Sequence, residues 1–322
     1  MSFNLLLLRG IRSETNIIDE LVDALQREAL DVKVTVAATD DEAKRVIGET
    51  DAAFGYFSES LLEAAPQLRW LACPQAGPDP AFFNRRLVES DVVVTNVRGI
   101  FSDHISAHIM AFVLGFSRGL PAYLDQQRER RWAVGVPTIF LPEATAVIVG
   151  VGAIGAETAL RCSEFGMRVI GVDPRVSSPP PGVSSIVTPE QTHRVVGEGD
   201  FVISTVPQSP VTEGYFDTAF FGAMKSSGYF INIGRGATVR LADLNAALRS
   251  GEIAGAALDV FEEEPLPVDH PLWDAPGMVI TPHVATVGPY LDNRRVSVFV
   301  ENCRRFARDE PLLNVVDKRQ WY

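Results

Sequence analysis

The chain has 322 residues and a formal net charge of −12, with 46% hydrophobic and 22% charged residues. This composition is typical of a globular protein, and the acidic balance argues against nucleic-acid and anionic-membrane partners, which need a basic surface. Three cysteines, Cys73, Cys162 and Cys303, are widely separated. An odd, scattered set predicts unpaired thiols and a cytoplasmic setting. No stretch approaches the roughly 18 apolar residues of a membrane helix, and the opening MSFNLLLLRG lacks the basic segment of a signal peptide.

The first third of the chain alternates short apolar runs with helical patterns. Helices are predicted over 15–30 and near 40–48. Strands are predicted at 4–8, 32–36, 52–57, 68–73 and 92–97. Strands that alternate with helices predict a parallel sheet with crossover helices.

A second series of elements follows two further helices. The helix predicted over 102–120 is apolar at helical spacing, and the one over 122–132 is charged on one side. Seven strands are predicted after them, at 145–150, 168–173, 183–187, 201–205, 229–233, 254–259 and 278–281. They are enough for a complete doubly wound sheet, and a last helix covers 290–308. The fold class is therefore α/β, with two Rossmann-like or flavodoxin-like domains and doubly wound parallel sheets, divided into 1–98 plus 288–322 and 99–287.

The stretch TAVIVGVGAIGAETAL at 145–160 is the most informative segment. A β-rich run leads into Gly150-x-Gly152-x-x-Gly155, and a helix follows. The first glycine permits a tight turn, the second lets the backbone approach a pyrophosphate, and the third allows close helix–strand packing. The helix N-terminus, with Ala153 and Ile154 in its first turn, offers unpaired N–H groups to the anion. The segment predicts a dinucleotide site, and a turn that merely packs is the alternative.

The choice of dinucleotide depends on two residues after the next strand. Asp173 ends MRVIGVD, 18 residues after Gly155. A carboxylate there accepts hydrogen bonds from a ribose 2′-hydroxyl and repels a 2′-phosphate, which favours NAD. Arg175 keeps NADP possible, because an arginine can pair with that phosphate.

Three polar groups stand just past late strands. They are Arg235 in INIGRGA, the run Glu262–Glu264 in LDVFEEEPLP, and His283 in ITPHVA. Ligand sites of doubly wound sheets form outside the carboxyl ends of the strands. These groups are therefore candidates for substrate binding and proton transfer.

Taken together, VGVGAIG, INIGRGA, LDVFEEEPLP with HPLW, and ITPHVA resemble, in order and spacing, the D-isomer-specific 2-hydroxyacid dehydrogenases. The resemblance implies that Arg235 binds the carboxylate of a 2-keto acid, that His283 is the acid/base, and that Glu264 pairs with it. A guanidinium suits the first role because its fork is bidentate to carboxylates. Histidine suits the second because it changes protonation near neutral pH. The first domain would then bind substrate and the second NAD, with the active-site cleft between them.

The same resemblance implies further cofactor contacts. It brings Asp259 near the nicotinamide, although a turn-capping role is an alternative. It brings the segment STVP, with Thr205 and Pro207, near the adenine or ribose, although an ordinary strand-end loop is equally consistent.

The substrate loop departs from the family pattern. Where the family usually has Gly-Ala-Gly-Val-Asp, this chain has QAGPD at 75–79. Ala76 and Gly77 are kept and are predicted to bind substrate through backbone N–H groups. Gln75 and Pro78 are departures that bear on which keto acid fits.

A homodimer is also expected. The charged helix that Trp132 closes belongs, in relatives, to the dimer contact, with a buried core tryptophan as the alternative. The apolar helix 102–120 needs a cover, which a second copy can supply. His104 and His108 have a spacing that suits metal ligands, but no third ligand completes the set, so no metal is predicted.

The resulting hypothesis is an NAD(P)-dependent oxidoreductase that interconverts a 2-keto acid and a D-2-hydroxy acid. One alternative is a non-catalytic, dinucleotide-sensing interaction protein on the same scaffold, which the intact set of Arg235, Glu264 and His283 disfavours. Another is a methyltransferase, which the third glycine and the full second half of the sheet disfavour.

Overall fold

The computed structural model describes residues 2–9, 16–28 and 30–321. The chain divides into two compact units, Met1–Ile100 with Gly288–Tyr322, and Phe101–Val287. Within the described residues, no single helix is long and apolar enough to cross a membrane, and the one pair of helices that passes together, Ser102–Ser117 with Leu120–Arg128, is bent by 70°.

The first unit contains a five-stranded parallel sheet. Its strands are β1 (Phe3–Leu8), β2 (Val32–Ala37), β3 (Ala52–Phe54), β4 (Trp70–Ala72) and β5 (Val93–Thr95), in the order β2-β1-β3-β4-β5. Its helices before Ile100 are α1 (Asn16–Arg27), α2 (Asp40–Ala43), α3 (Glu59–Glu63) and α4 (Arg85–Glu89). Alternate residues of β1 enter two separate cores. Both faces of the sheet are thus buried, as a parallel sheet requires.

The second unit contains a seven-stranded parallel sheet. Its helices are α5 (Ser102–Ser117), α6 (Leu120–Arg128), α7 (Ala153–Glu164), α8 (Thr192–Val196), α9 (Thr218–Gly222) and α10 (Leu241–Ser250). The last helix of the chain, α11 (Leu291–Ala307), belongs to the first unit. Its strands are β6 (Thr145–Val149), β7 (Arg168–Val172), β8 (Ser185–Val187), β9 (Phe201–Ser204), β10 (Tyr229–Asn232), β11 (Gly255–Leu258) and β12 (Met278–Ile280). They lie in the order β12-β11-β10-β9-β6-β7-β8. The predicted α/β class with two parallel sheets is confirmed.

The end of the helix predicted over 122–132 is wrong. α6 stops at Arg128, and Arg130 adopts a left-handed conformation with φ of 55°. The N–H of Arg130 donates to the carbonyl of Gln127, and that of Arg131 to the carbonyl of Gln126. This pair of bonds closes the helix in a Schellman motif, so the chain leaves the helix before Trp132.

Trp132 is not a core residue, since 99% of its surface is exposed. Part of the apolar surface of α5 is covered within the unit, where α5 packs against α7 and the sulfurs of Met110 and Cys162 lie 3.8 Å apart. Packing against α7 thus covers one face of α5, and a second copy as the cover of its other face stays a prediction.

The three cysteines are buried free thiols. Burial raises the pKa of Cys73 and that of Cys162 to about 12. Burial also raises the pKa of the Cys303 thiol. All three are therefore protonated at neutral pH and poor nucleophiles.

Candidate functional site

The glycine loop joins β6 to α7 at the carboxyl edge of the second sheet. Gly150 has φ of +93°, a conformation that favours glycine. A Cβ on Gly155 would lie 2.0 Å from the carbonyl oxygen of Gly150, so close packing requires glycine there. The hydroxyl of Thr205 donates to that same carbonyl at 2.6 Å, which ties the loop to the end of β9.

Gly152 is different, because a Cβ there would meet no protein atom within 4 Å. It caps α7 in an extended conformation, and its φ of −74° does not require glycine. Packing within the chain therefore does not explain this glycine, and the space beside it is open to a ligand. The N–H groups of Ala153 and Ile154 lie in the first turn of α7 and lack intrahelical acceptors.

This open space lies where the strand order reverses, since β6 and β9 are neighbours in the sheet. Such a switch point is the usual ligand crevice of doubly wound sheets. A 12-residue helix that starts there presents its positive dipole end to an anion. The residues present therefore fit the pyrophosphate of a dinucleotide.

Asp173 follows β7 and is only 4% exposed. One carboxylate oxygen accepts the N–H of Val151 at 2.9 Å, and the other accepts those of Arg175 at 2.8 Å and Val176 at 3.2 Å. The carboxylate thus fastens the glycine loop to the segment after β7. Arg175 itself is exposed.

Arg235 sits between two glycines that the backbone requires. A Cβ on Gly234 would lie 2.4 Å from the carbonyl oxygen of Val206, and one on Gly236 would lie 1.8 Å from the carbonyl carbon of Phe261. The turn is therefore clamped between the segments that follow β9 and β11. The buried amide of Asn232 donates to the carbonyl of Arg235 and accepts the N–H of Gly234, a role that the sequence did not suggest.

His283 and Glu264 form a pair. The Nδ1 atom of His283 lies 2.7 Å from one carboxylate oxygen of Glu264, and the other oxygen accepts the N–H of Phe261 at 2.9 Å. The histidine side chain is 43% exposed and that of the glutamate 35%. The carboxylate is thus fixed by the segment after β11, while the other ring nitrogen is left for a second task.

Asp259 lies behind the loop that carries His283 and is 1% exposed. It accepts the N–H groups of Val284 and Ala285, each at 2.9 Å, and the hydroxyl of Thr281 at 2.5 Å. The ring of His108 lies 3.1 Å from the Thr281 hydroxyl. Thr281 is not among the residues predicted from the sequence, and His108 was considered there only as a metal ligand.

The remaining predicted residues lie in both units. In the first unit, the carbonyl of Ala76 accepts the amide of buried Asn96 at 2.7 Å, and the hydroxyl of Tyr56 donates to the Gln75 amide oxygen. Both bonds hold the loop 75–79. In the second unit, the carbonyl of Pro207 accepts the Thr212 hydroxyl. Whether these residues bind substrate or cofactor stays a prediction.

A doubly wound sheet with a glycine loop at its switch point and an imidazole–carboxylate pair past neighbouring strands defines a dinucleotide-dependent α/β enzyme. A family model described as D-isomer specific 2-hydroxyacid dehydrogenase, NAD binding domain, matches residues 110–285. The chain belongs to the D-isomer-specific 2-hydroxyacid dehydrogenase family. The predicted family, the oxidoreductase class and a nicotinamide dinucleotide cofactor are thereby confirmed, and the methyltransferase alternative is wrong.

The names of individual relatives are consistent with this family. The chain is 35% identical to glyoxylate/hydroxypyruvate reductase A of Yersinia enterocolitica over 56% of this chain and 57% of that protein. A D-isomer specific 2-hydroxyacid dehydrogenase of Xanthobacter autotrophicus Py2, solved with NADPH and MES, superposes with a TM-score of 0.87 at 30% identity over 99% of this chain and all of the other. An NADPH-dependent glyoxylate/hydroxypyruvate reductase of Sinorhizobium meliloti, solved with NADP and sulfate, gives 0.83 at 27% identity over 99% and 100%.

Proposed function

We propose that this chain interconverts a small 2-keto acid and the D-2-hydroxy acid, with His283 as acid/base, Glu264 as its partner and Arg235 as the carboxylate-binding group. The observation that supports this best is the 2.7 Å contact between His283 and Glu264. It lies in the same unit as the glycine loop. A non-catalytic sensor would have no need of an imidazole held in this way.

The roles follow from the contacts. When bound, the dinucleotide supplies a hydride to the carbonyl carbon or accepts one from the hydroxy acid. Glu264 occupies Nδ1 of His283, so Nε2 is the atom that donates a proton to the carbonyl oxygen in reduction and accepts the hydroxyl proton in oxidation. The carboxylate also favours the imidazolium that oxidation produces.

Arg235 suits the substrate carboxylate because its guanidinium can donate two parallel hydrogen bonds. Its backbone is held by the flanking glycines and by Asn232, and its carbonyl also accepts the Thr238 hydroxyl at 2.6 Å. A fixed backbone lowers the cost of holding the side chain in one orientation.

For the cofactor, we propose a preference for NADH over NADPH, based on the carboxylate of Asp173 at the end of β7. Its negative charge opposes a 2′-phosphate nearby, and exposed Arg175 is the residue that could offset it. Two structural relatives were solved with NADPH or NADP, so both dinucleotides belong in the test. The position of Asp259 near the nicotinamide stays a prediction.

For the substrate, we propose glyoxylate and hydroxypyruvate first, because relatives carrying those names align with the chain. Purified protein is expected to oxidise NADH with one of these acids, or with pyruvate or a bulkier keto acid. His283→Ala is expected to lower kcat by about 100-fold or more, the contribution typical of general acid–base catalysis, while NADH still binds. Steady-state absorbance assays with NADH and NADPH in parallel, and a fluorescence titration of NADH, check this.

Absence of turnover with every acid and both cofactors would contradict the enzyme assignment. Turnover of His283→Ala near that of wild type would contradict the acid/base assignment alone.

We also propose a homodimer. Six exposed large hydrophobic residues of the second unit fall between positions 120 and 140: Leu120, Tyr123, Leu124, Trp132, Val134 and Phe140. Two of them, Leu120 and Leu124, line a groove of about 330 Å³ between α5, α6 and the edge strand β12. Exposed apolar surface of this kind marks an interface, and a second copy presents both the apolar segment and the groove. The mass in solution tests this. Cytoplasmic localisation stays a prediction.

A further inference from the structure

The backbone of His283 adopts a conformation that a non-glycine residue rarely takes. Its φ is 54°, in the left-handed region, and its N–H donates to the carbonyl of Thr281 at 3.1 Å. Such a conformation persists only where the surroundings over-determine it. The residues that hold this loop therefore decide where the imidazole lies.

Buried Asp259 supplies most of that hold. It stands at the end of β11, and its N–H donates to the carbonyl of Asn232 on β10. Its two oxygens accept the N–H groups of the two residues directly after His283. The carboxylate thus fastens the His283 loop to the ends of β11 and β10 through charge-assisted bonds, which are stronger than neutral ones.

Two further side chains link the Asp259 carboxylate to helix α5. The Thr281 hydroxyl lies 2.5 Å from Asp259 Oδ1, and His108 Nε2 on α5 lies 3.1 Å from that hydroxyl. An ionised carboxylate only accepts, so the hydroxyl hydrogen points to Asp259. The hydroxyl oxygen is then left to accept, and His108 Nε2 must be the donor. The chain of donors therefore runs one way, from His108 through Thr281 to Asp259.

We propose that His108 and Thr281 are positioning residues for His283, acting through the carboxylate of Asp259. This inference rests on the proposed function, because the position of His283 matters only if that residue transfers the proton. The two side chains hold the Asp259 carboxylate in the orientation that both loop N–H groups need. Loss of either should let the imidazole move while leaving the glycine loop, on another strand, intact.

The test replaces the two outer residues rather than Asp259, because Asp259 is also predicted to lie near the nicotinamide. Thr281→Val keeps the shape of the side chain and removes the hydroxyl, and His108→Leu removes the donor. Each is expected to lower kcat by about 10- to 100-fold, the scale of a catalytic group displaced by about 1 Å. The KM for the keto acid and the NADH dissociation constant should change less than threefold. Thr281→Ser and His108→Gln, which keep a hydroxyl and an N–H donor, should restore most of the activity.

Thr192→Val is the matched control. Thr192 is a buried threonine of the same unit whose hydroxyl donates to the carbonyl of Pro189, and its loss should not reduce kcat more than twofold. Wild-type kcat in Thr281→Val would overturn the inference. So would equal losses in Thr281→Ser and Thr281→Val, or a loss in Thr192→Val as large as theirs. An inactive wild type would instead contradict the proposed function.

Discussion

The structure distinguishes three adjacent, chemically identical residues by their contacts: Glu262, Glu263 and Glu264. All three are exposed, yet one oxygen of Glu264 faces His283 and the other is fixed by the N–H of Phe261. That second bond gives the carboxylate a set direction. The residue that the resemblance selected is thus the one that the structure pairs with the imidazole.

Glu264→Gln should lower kcat for keto-acid reduction by about 10-fold or more, the usual effect of losing a group that orients a functional histidine. The carboxylate holds Nδ1 of His283 at 2.7 Å through a charge-assisted hydrogen bond, and the amide keeps the shape but loses the charge. Steady-state rates at saturating NADH check this.

Glu263→Gln is the matched control for that experiment, because it removes the same charge from the neighbouring residue. Its kcat should equal that of wild type. A loss of kcat in Glu263→Gln, with none in Glu264→Gln, would move the assignment by one residue.

Single residues could be predicted wherever a motif sits just past a strand. Arg235, Glu264 and His283 share that property, and the carboxyl ends of neighbouring strands meet at one edge. Thr281 and His108 could not be paired in advance, because 173 positions separate them and neither spacing nor residue type links them.

At the scale of elements, the three glycines of the phosphate loop have separate causes. Gly155 is required by contact with the carbonyl of Gly150, whereas Gly152 faces no protein atom. Gly155→Ala should therefore lower the melting temperature of the protein without ligand, since forced packing costs about 1–3 kcal/mol.

Gly152→Ala should keep that melting temperature and weaken NADH binding by about tenfold, or about 1.4 kcal/mol. Thermal unfolding followed by circular dichroism, together with an NADH titration, separates the two effects. An equal loss of thermal stability in both variants would show that Gly152 serves packing and not the ligand.

Whole strands were predictable because a buried parallel strand is a short continuous apolar run. All twelve predicted strands have a counterpart, but several end earlier than predicted. The runs at 145–150 and 201–205 stop at Val149 and Ser204. The residues after these strands are those that turn toward the ligand site, so an apolar run and a site loop overlap in sequence. The end of α6 was missed because an arginine, not a glycine, takes the left-handed position.

On the scale of the whole molecule, the segment after α6 is apolar yet belongs to no core. Trp132 is 99% exposed and Val134 88%. Hydrogen bonds hold the segment in place, from the N–H of Ala133 to the Gln126 side chain and from that of Ile139 to the carbonyl of Ser117. Composition and net charge could not predict this exposed apolar segment, because both average over the surface.

The wild-type protein is therefore expected to have twice the chain mass of 35.1 kDa in light scattering after size-exclusion chromatography. Trp132→Glu combined with Val134→Glu should give the single-chain mass, because two charges enter a surface that a second copy would desolvate. The fold should survive, since neither side chain contributes to the core. Val268→Glu is the control, as Val268 is 97% exposed outside the segment 120–140, and it should remain a dimer. A wild-type protein at the mass of one chain, or a double variant that still has twice that mass, would contradict the proposed interface.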